Sequence, residues 1–501
     1  SSAASDVYKR QAKEYAFSDY YEKTKKSGVF GTGGLGFTIG RQSTEIEHDR
    51  RDGTLRGSLV GSLAGDTVIQ AGRRYRQEAS TVSAPQGDVL ITGQAVTITA
   101  GEQPYSEYYR RTDKQSGLTV AASVPVVDAA KNIQHAIESI GESKNHRTQA
   151  MAVANSAWRL YEGVELLQGQ PIGLDAAKKA SVSVTLGSQK SHVSQQHSGH
   201  TVAPSQMLAG KTATVIAHGA GEDSHLRVIG SDVLGLGGTH LVAENDIILL
   251  PATETERSRS QNSTSGWNVG VAMSLGEGAP TVGITAGANR GKGYGDADSV
   301  RHRQTQTGDS TSLTTLQAGD TTTLRGAQVL GERVQIATER LHIESVQDTA
   351  TYEGKQRSLG GQLTVGVGAS GGANLSRSTI QADYASVIQP SGVYAGDGGY
   401  QIVVNDHTEL IGGLVTSTAQ AEQQGKNHFI TGTLMTSKLV NRAGHDGSSV
   451  GINLTADSQG GWQGQTRSDE GKTTHTLGGS MGSGNDIDRQ ERTTASGINT
   501  E

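Results

Sequence analysis

The stretch Gln86–Ile98, QGDVLITGQAVTI, contains two short segments in which apolar and polar residues alternate, separated by a Gly-Gln turn. Alternation places Val89 and Ile91 on one face of the first strand, and Val96 and Ile98 on one face of the second. Strands of about five residues are marginal by themselves, so they need paired neighbours to be stable. The stretch therefore predicts a stack of short strands rather than a compact domain around one core.

The same unit recurs along the chain. Such units begin with a Gly-Asp pair, and the Asp residues of these pairs are Asp66, Asp88, Asp320 and Asp397. Coils of about 20 residues with glycine turns are typical of a parallel β-helix, in which inward Val, Ile and Leu side chains form continuous ladders. A propeller would show regular Trp or His-Asp signatures and a sandwich more aromatic residues, but the chain has 3 Trp and 4% aromatics. We predict an all-β chain built as a parallel, right-handed β-helix, or solenoid.

The composition restricts the class of protein further. Gly accounts for 68 of 501 residues, hydrophobic residues for 34% and Pro for only 8 positions, which suits a thin repetitive core better than several globular domains or disorder. The absence of Cys excludes a disulfide scaffold, a thiol nucleophile and the usual zinc clusters. The net charge of −6 gives no electrostatic argument for nucleic acid as a partner.

A longer repeat interrupts the coils. Clear copies begin at Tyr21, Tyr109 and Tyr352, and weaker copies contain Ser265 and Ser448. Each clear copy has a Tyr, a cluster of basic and polar residues, a Ser, and then a glycine-rich strand. We interpret these passages as glycine-rich β excursions from the β-helix, not as ordinary coils.

Residues 126–180 have the periodicity of helices. Two apolar stripes with spacings of three and four residues are formed by Val126, Ala130, Ile133, Ile137 and Ile140, and by Met151, Ala154, Trp158 and Tyr161. We predict a small α-helical hairpin insertion that covers the flank of the solenoid; a membrane-active or partner-binding hairpin is the alternative.

These patterns divide the chain into five segments. Residues 1–11 match no repeat and are interpreted as a non-native or junction segment. Residues 12–125 and 181–481 are predicted to form β-helix repeats on either side of the helical hairpin at 126–180. Residues 482–501 are polar and patternless, which indicates a linker or a truncated end.

Two GxGxxG strings, at residues 31–36 and 366–371, could suggest a dinucleotide site. That site needs a strand before the string and a helix after it. No helix pattern follows either string, and both fall in the glycine-rich excursions. We therefore interpret them as structural and predict no cofactor site.

Metal and catalytic sites are not expected either. Calcium-binding β-rolls need tandem nine-residue Gly-Asp repeats, whereas the Gly-Asp pairs here are isolated, so hydrogen bonds in turns explain them better. His192, His197 and His200 lie in SHVSQQHSGH, which we interpret as an exposed loop. Acidic residues are scattered, unlike the clustered acids of polysaccharide lyases and hydrolases. The sequence predicts a non-enzymatic protein with no catalytic, cofactor-binding or metal-binding residues.

The most distinctive charges are basic groups that precede the glycine strands. They are Lys23, Lys25 and Lys26, then Arg110, Arg111 and Lys114, then Lys355 and Arg357. On a stacked solenoid they would fall on related faces, where they could contact anionic polysaccharide or lipid head groups. The simpler interpretation, which we favour here, is that charged edges prevent lateral aggregation of strands.

The strings KKSGVFGTGGLGFTIGRQST, GAGEDSHLRVIGSDV and IESVQDTATYEGKQRS are long and unusual. They resemble the haemagglutinin repeat of filamentous-haemagglutinin-like two-partner-secretion exoproteins, and are most similar to that of contact-dependent growth-inhibition toxin exoproteins. The resemblance extends from about Glu14 to Ser480.

The resemblance implies a secreted protein of the bacterial cell surface that forms β-helical filaments. It implies export through an outer-membrane two-partner-secretion transporter, which would use an N-terminal domain missing from this chain. It also implies a stalk that supports delivery of a C-terminal toxin across the outer membrane of a neighbouring cell, with that membrane, a receptor or glycans as partners. The alternative is an adhesin or haemagglutinin stalk that binds host glycans or proteins.

Overall fold

A computed structural model describes residues 4–9, 12–31, 35–123, 180–275, 281–366, 368–459 and 474–499. These residues are almost entirely β-structure. Turns join the strands, and the helical elements among the described residues are a 3-10 turn at Gly221–Asp223 and helix α1 at Ala419–Gln423, where the Thr418 side chain caps the helix by accepting a hydrogen bond from the Ala421 N–H. No helix in the described ranges is long and apolar enough to cross a membrane.

Twenty of the strands form one parallel sheet. Numbered in chain order, they are β1 (Ala4–Lys9), β4 (Leu59–Gly61), β5 (Thr67–Glu78), β6 (Thr81–Ala84), β7 (Val89–Gly93), β8 (Ala95–Thr99), β11 (Gln206–Ala209), β12 (Thr212–Ala217), β13 (Leu226–Ile229), β14 (Asp232–Gly235), β15 (Gly238–Ala243), β16 (Ile247–Leu250), β19 (Thr305–Thr307), β20 (Leu313–Ala318), β21 (Thr321–Arg325), β22 (Ala327–Glu344), β25 (Gly392–Ile411), β26 (Leu414–Thr416), β27 (His428–Ser437) and β30 (Gly497–Ile498).

The parallel strands form three columns. In the middle of the chain β6 pairs with β11, β7 with β12 and β8 with β13, and the next coil, β14 to β16, pairs with these in turn. The longer strands β22 and β25 pass through all three columns. Each circuit of the chain therefore stacks on the previous one, which confirms the predicted all-β parallel solenoid; its right-handed sense stays a prediction.

The core lies inside the three columns as aliphatic ladders. Ile91 pairs with Val215, and Val215 pairs with Leu241, because their strands are aligned residue for residue. The side chains that share this environment are buried to 2% exposure or less: Val82, Met207, Val233, Val329 and Val393; Ile91, Val215, Leu241, Leu316, Ile336 and Ile402; Ile98, Val228, Leu249, Leu324, Ile343 and Leu410.

The other ten strands form an antiparallel sheet of five long hairpins. They are β2 (Ala12–Gly31) with β3 (Leu35–Arg56), β9 (Gly101–Ser123) with β10 (Ala180–Ala203), β17 (Ala252–Leu275) with β18 (Thr281–Arg303), β23 (Asp348–Gly366) with β24 (Gly368–Ser386), and β28 (Leu439–Gln459) with β29 (Thr474–Thr494). Between successive hairpins the chain makes about two coils of the solenoid. The predicted β excursions lie on the outgoing strands of these hairpins, and those that begin at Tyr21 and Tyr352 continue past the tip into the start of β3 and β24.

The helical hairpin predicted at 126–180 lies outside the described residues, apart from Ala180, which begins β10. Residues 482–494, expected to be linker, lie in β29 and pair with β28, so the structure assigns them to the sheet. Residues 4–9 form β1, which pairs in parallel with β5 at one end of the solenoid.

Candidate functional site

We call the ten-stranded antiparallel sheet the hairpin sheet. Residues that pair across its neighbouring strands form rows that run perpendicular to the strands. Leu118 of β9, for example, lies opposite Ile39 of β3 on one side and Leu186 of β10 on the other. Directly paired residues point to the same face of a sheet, and successive residues of a strand point to opposite faces. Each row therefore belongs to one face, and the two faces can be compared row by row.

One face is aliphatic near the hairpin tips. We call this the aliphatic face. Its side chains are between 40% and 67% exposed, in contrast to the buried ladders of the solenoid. They occupy two neighbouring rows: Val29, Ile39, Leu118, Leu186, Val269 and Leu363, and Val184, Val271, Ile284 and Val365. A contiguous exposed apolar surface of this kind marks an interaction site.

The opposite face carries Gly, Thr, Asn and Gln, and we call it the polar groove. Residues of eight adjacent strands, from β3 to β28, line one cavity of about 610 Å³ there. Eight strands spaced about 4.8 Å apart would extend roughly 34 Å if the sheet were flat. The sheet must therefore curve towards this face, which agrees with the burial of Thr38 and Thr285 to 1% and 0% exposure.

Neutral hydrogen bonds organise the polar groove. The hydroxyls of Thr38 and Thr119 lie 2.8 Å apart, and the Gln115 amide donates to Thr38 Oγ1 over 2.8 Å. The Gln362 amide donates to Thr285 Oγ1 over 3.0 Å. No described lining residue is Asp, Glu, His, Lys or Arg. The described lining of the groove is therefore neutral.

Glycine is required where the strands approach closely on this side. A Cβ added to Gly40 would lie 2.0 Å from the Ser116 carbonyl oxygen, and one added to Gly187 would lie 2.5 Å from the Trp267 carbonyl oxygen. Both contacts are with backbone, which cannot move aside without breaking the ladder. The glycine-rich sequence of the excursions therefore permits the sheet to curve towards the polar groove.

Basic residues border the aliphatic face on the side nearer the solenoid. They are exposed and lie on the same side of the sheet, in three consecutive rows. We call this set the basic belt: Lys23, Lys25, Arg41, Lys114, Lys190, Arg290, Lys292, Arg357 and Arg377. The only described acidic residue in these rows is Glu45, which accepts a hydrogen bond from Lys23 Nζ over 3.1 Å. This bond lowers the pKa of the Glu45 carboxyl and raises that of Lys23.

The basic residues predicted from sequence occupy three different positions on the hairpin sheet. Lys23, Lys25, Lys114 and Arg357 belong to the basic belt. Arg110 and Lys355 lie one row nearer the solenoid, on the same face.

The remaining predicted cations, Lys26 and Arg111, point to the opposite face, where Arg111 Nε donates to Asp113 over 2.8 Å. Sequence reasoning missed five members of the belt, all on returning strands: Arg41, Lys190, Arg290, Lys292 and Arg377. Counting equal numbers of residues on both sides of each hairpin tip would have found them.

The other predicted positions have structural roles. Asp66 Oδ1 accepts a hydrogen bond from the Asp88 N–H over 2.9 Å, and Asp88 Oδ1 accepts one from the Thr212 N–H over 2.8 Å. Both side chains accept backbone hydrogen bonds, but the donors belong to the adjacent coil, so these residues link one coil to the next. Asp320 instead pairs with Arg340, and the Thr418 hydroxyl donates to Asp397.

The histidine interpretation is wrong. His192, His197 and His200 lie in strand β10, not in a loop, because the polar stretch pairs with β9 and β17 along its whole length. His192 Nδ1 lies 2.9 Å from the Thr112 hydroxyl.

Both GxGxxG strings lie at hairpin tips. The first spans the end of β2 and the start of β3, and the second spans the end of β23 and the start of β24.

Comparisons with known proteins agree with this architecture. Residues 186–360, from β10 into β23, match the family model for the hemagglutinin repeat. This chain contains hemagglutinin repeats. The matched region includes the hairpin of β17 and β18 and the coils on both sides of it, so the family unit contains both parts of the fold.

Longer relatives extend the similarity to most of the chain. It is 36% identical over 87% of its length to a tRNA nuclease CdiA of Escherichia coli O6:K15:H31, and 35% identical over 86% to a 16S rRNA endonuclease CdiA of Enterobacter cloacae. It is 32% identical over 85% to a deoxyribonuclease CdiA of Yersinia pseudotuberculosis. The chain spans 14%, 13% and 40% of the lengths of these three relatives.

Proposed function

We propose that this segment is a non-enzymatic stalk of a secreted bacterial surface exoprotein that supports contact-dependent delivery of a C-terminal toxin into neighbouring bacteria. The solenoid provides a rod, and the hairpin sheet is the part that contacts the outer membrane of the target cell. The aliphatic face carries this proposal, because it is a contiguous exposed apolar surface that takes no part in the solenoid core.

The names of the relatives support a non-enzymatic role. They specify a tRNA nuclease, a 16S rRNA endonuclease and a deoxyribonuclease, yet all three match this chain at 32–36% identity. A region that is similar in proteins with different substrates does not determine the substrate.

Membrane contact follows from the energetics of the aliphatic face. Transfer of one Val or Leu side chain from water to hydrocarbon contributes about 1.5–3 kcal/mol, and the exposed half of ten such side chains contributes on the order of 10 kcal/mol. This is enough to hold the sheet in a bilayer.

The whole exoprotein needs parts beyond this segment. We propose that an N-terminal domain leads it through an outer-membrane two-partner-secretion transporter to the cell surface, and that a receptor or glycan on the target cell is a further partner.

Flotation of the purified segment with outer-membrane vesicles tests membrane contact. We expect it to float with the vesicles. Combined substitution of Leu118, Leu186 and Leu363 by Asn should abolish flotation. The control replaces Leu59, Leu63 and Leu236 by Asn. These leucines lie on the solenoid, are 62–85% exposed against 42–53% for the three test leucines, and should have no effect on flotation. Absence of flotation at every lipid composition would contradict the proposal.

The description of the matching family model, hemagglutinin repeat, favours one second function: an adhesin stalk that binds host glycans or proteins. Deletion of the toxin region downstream in the full exoprotein separates the two. A delivery stalk loses killing of neighbouring cells, whereas an adhesin retains binding to host cells.

A further inference from the structure

We infer that the basic belt binds the phosphate groups of anionic membrane lipids while the aliphatic face enters the hydrocarbon. This inference rests on the proposed membrane contact and specifies its chemistry. It predicts that the sheet docks at a fixed depth and discriminates between anionic and zwitterionic membranes.

Most cations of the belt form no ion pair with a described residue. Apart from Lys23, none of them forms an ion pair with another described residue, whereas arginines nearer the solenoid do, as in the contacts of Arg257 and Arg259 with Asp298. Ion pairing within the sheet therefore does not explain the belt.

Several belt residues are placed directly against like charges. Lys114 lies opposite Lys190, and Arg357 lies between Lys292 and Arg377. Like charges in directly opposed positions destabilise a sheet. An anionic ligand with many phosphates would relieve this repulsion, since each phosphate can be shared by neighbouring cations.

The belt also follows the boundary of the apolar surface. Lys25, Lys114, Lys190 and Arg290 occupy one row, but in the same row β23 and β24 carry Leu359 and Leu375. On those strands the cations lie one row nearer the solenoid, at Arg357 and Arg377. Cations that follow an apolar boundary suit a headgroup layer above hydrocarbon.

Protection of sheet edges does not account for the belt. The described edge strands are β2 and β29. Only Lys23 and Lys25 lie on β2, and β29 contributes none; the other seven cations are on inner strands, where both backbone edges are already paired. The interpretation favoured from sequence therefore fails for most of the set.

The charge reverses further from the tips. Four residues nearer the solenoid than the last row of the belt, about 13 Å along the strand, the same face carries a mainly acidic row. Its acidic residues are Asp19, Asp49, Asp296, Glu353 and Asp446, and its one described cation is Arg259. This distance exceeds the Debye length of about 8 Å at physiological salt, so the acids do not neutralise the belt. They oppose any deeper approach to an anionic surface.

The test compares binding to vesicles of phosphatidylcholine with about 30% phosphatidylglycerol and to vesicles of phosphatidylcholine alone. The variant K114Q/K190Q/R290Q should bind the anionic vesicles about 100-fold more weakly than the unmodified segment, since each surface cation contributes about fivefold. The control K211Q/R227Q/K438Q removes the same charge from exposed positions outside the belt and should bind normally. About 0.5 M NaCl should reduce the binding of the unmodified segment towards that of the belt variant.

A second variant, K114R/K190R/R290K, preserves the charge and should bind like the unmodified segment, which separates loss of charge from loss of fold. Inorganic phosphate at constant ionic strength should not displace the protein; displacement would indicate a site for free anions and overturn the inference. Equal binding to both vesicle types would overturn the inference while leaving membrane contact intact. Binding to neither would remove both.

Discussion

At the scale of single residues, the stability of the solenoid rests on the ladders. Leu241 is completely buried and stacks between Val215 and Leu316 of the adjacent coils. Leu241→Ala leaves a cavity that paired backbones on both sides prevent from collapsing. We expect the free energy of unfolding, measured by urea denaturation, to fall by about 2–5 kcal/mol.

The chain offers a matched control for this substitution. Leu236 lies in the same coil but is 62% exposed. Leu236→Ala should change the free energy of unfolding by less than about 0.5 kcal/mol. Equal losses for the two variants would show that the ladder does not carry the stability of the coil.

At the scale of elements, the pairing of the solenoid strands continues directly from one side of a hairpin to the other. Strands β16 and β21 pair directly although β17 and β18 separate them in sequence. Replacement of residues 253–302 by an Asn-Gly turn would join Ala252 and Arg303, which are already paired. It would also keep Arg303, which donates to the buried Asp232 over 2.8 Å.

We expect this deletion to preserve the β-type far-ultraviolet spectrum and the urea midpoint of the solenoid. Vesicle flotation should weaken, because the aliphatic face loses Val269, Val271 and Ile284 and the sheet loses its central strands. Collapse of the whole fold would mean that the solenoid depends on the sheet.

The coils could be predicted because their alternation and glycine turns are visible in short windows. The outgoing strands could be recognised by their Ser-Gly landmarks. The returning strands could not, since β10 and β29 are polar on both faces near the solenoid and show no alternation. Their pairing depends on the register of each hairpin, which is set by residues across the tip. For the same reason, Lys190 and Arg290 could not be assigned to the basic belt from sequence, and the belt could not be recognised as continuous.

At the scale of the whole molecule, two modes of β-pairing alternate along one chain. Parallel coils bury their side chains within the solenoid, so their stability comes from neighbours in the stack. The antiparallel sheet also pairs its backbone N–H and C=O groups in hydrogen bonds, but its aliphatic face remains exposed to water. A sheet with an unburied apolar face gains less from folding and opens locally more readily than the core.

Amide hydrogen exchange should therefore divide the molecule into two parts. Without lipid, we expect the slowest exchange in the central coils, at Thr212–Ala217, Gly238–Ala243 and Leu313–Ala318. Exchange in the distal hairpins, such as Leu186 and Val269, should be faster by at least tenfold. Anionic vesicles should slow the distal exchange and leave the coils unchanged, because lipid covers only the aliphatic face. Uniform protection without lipid would show that the sheet is already stabilised by its own pairing and does not need a membrane to complete it.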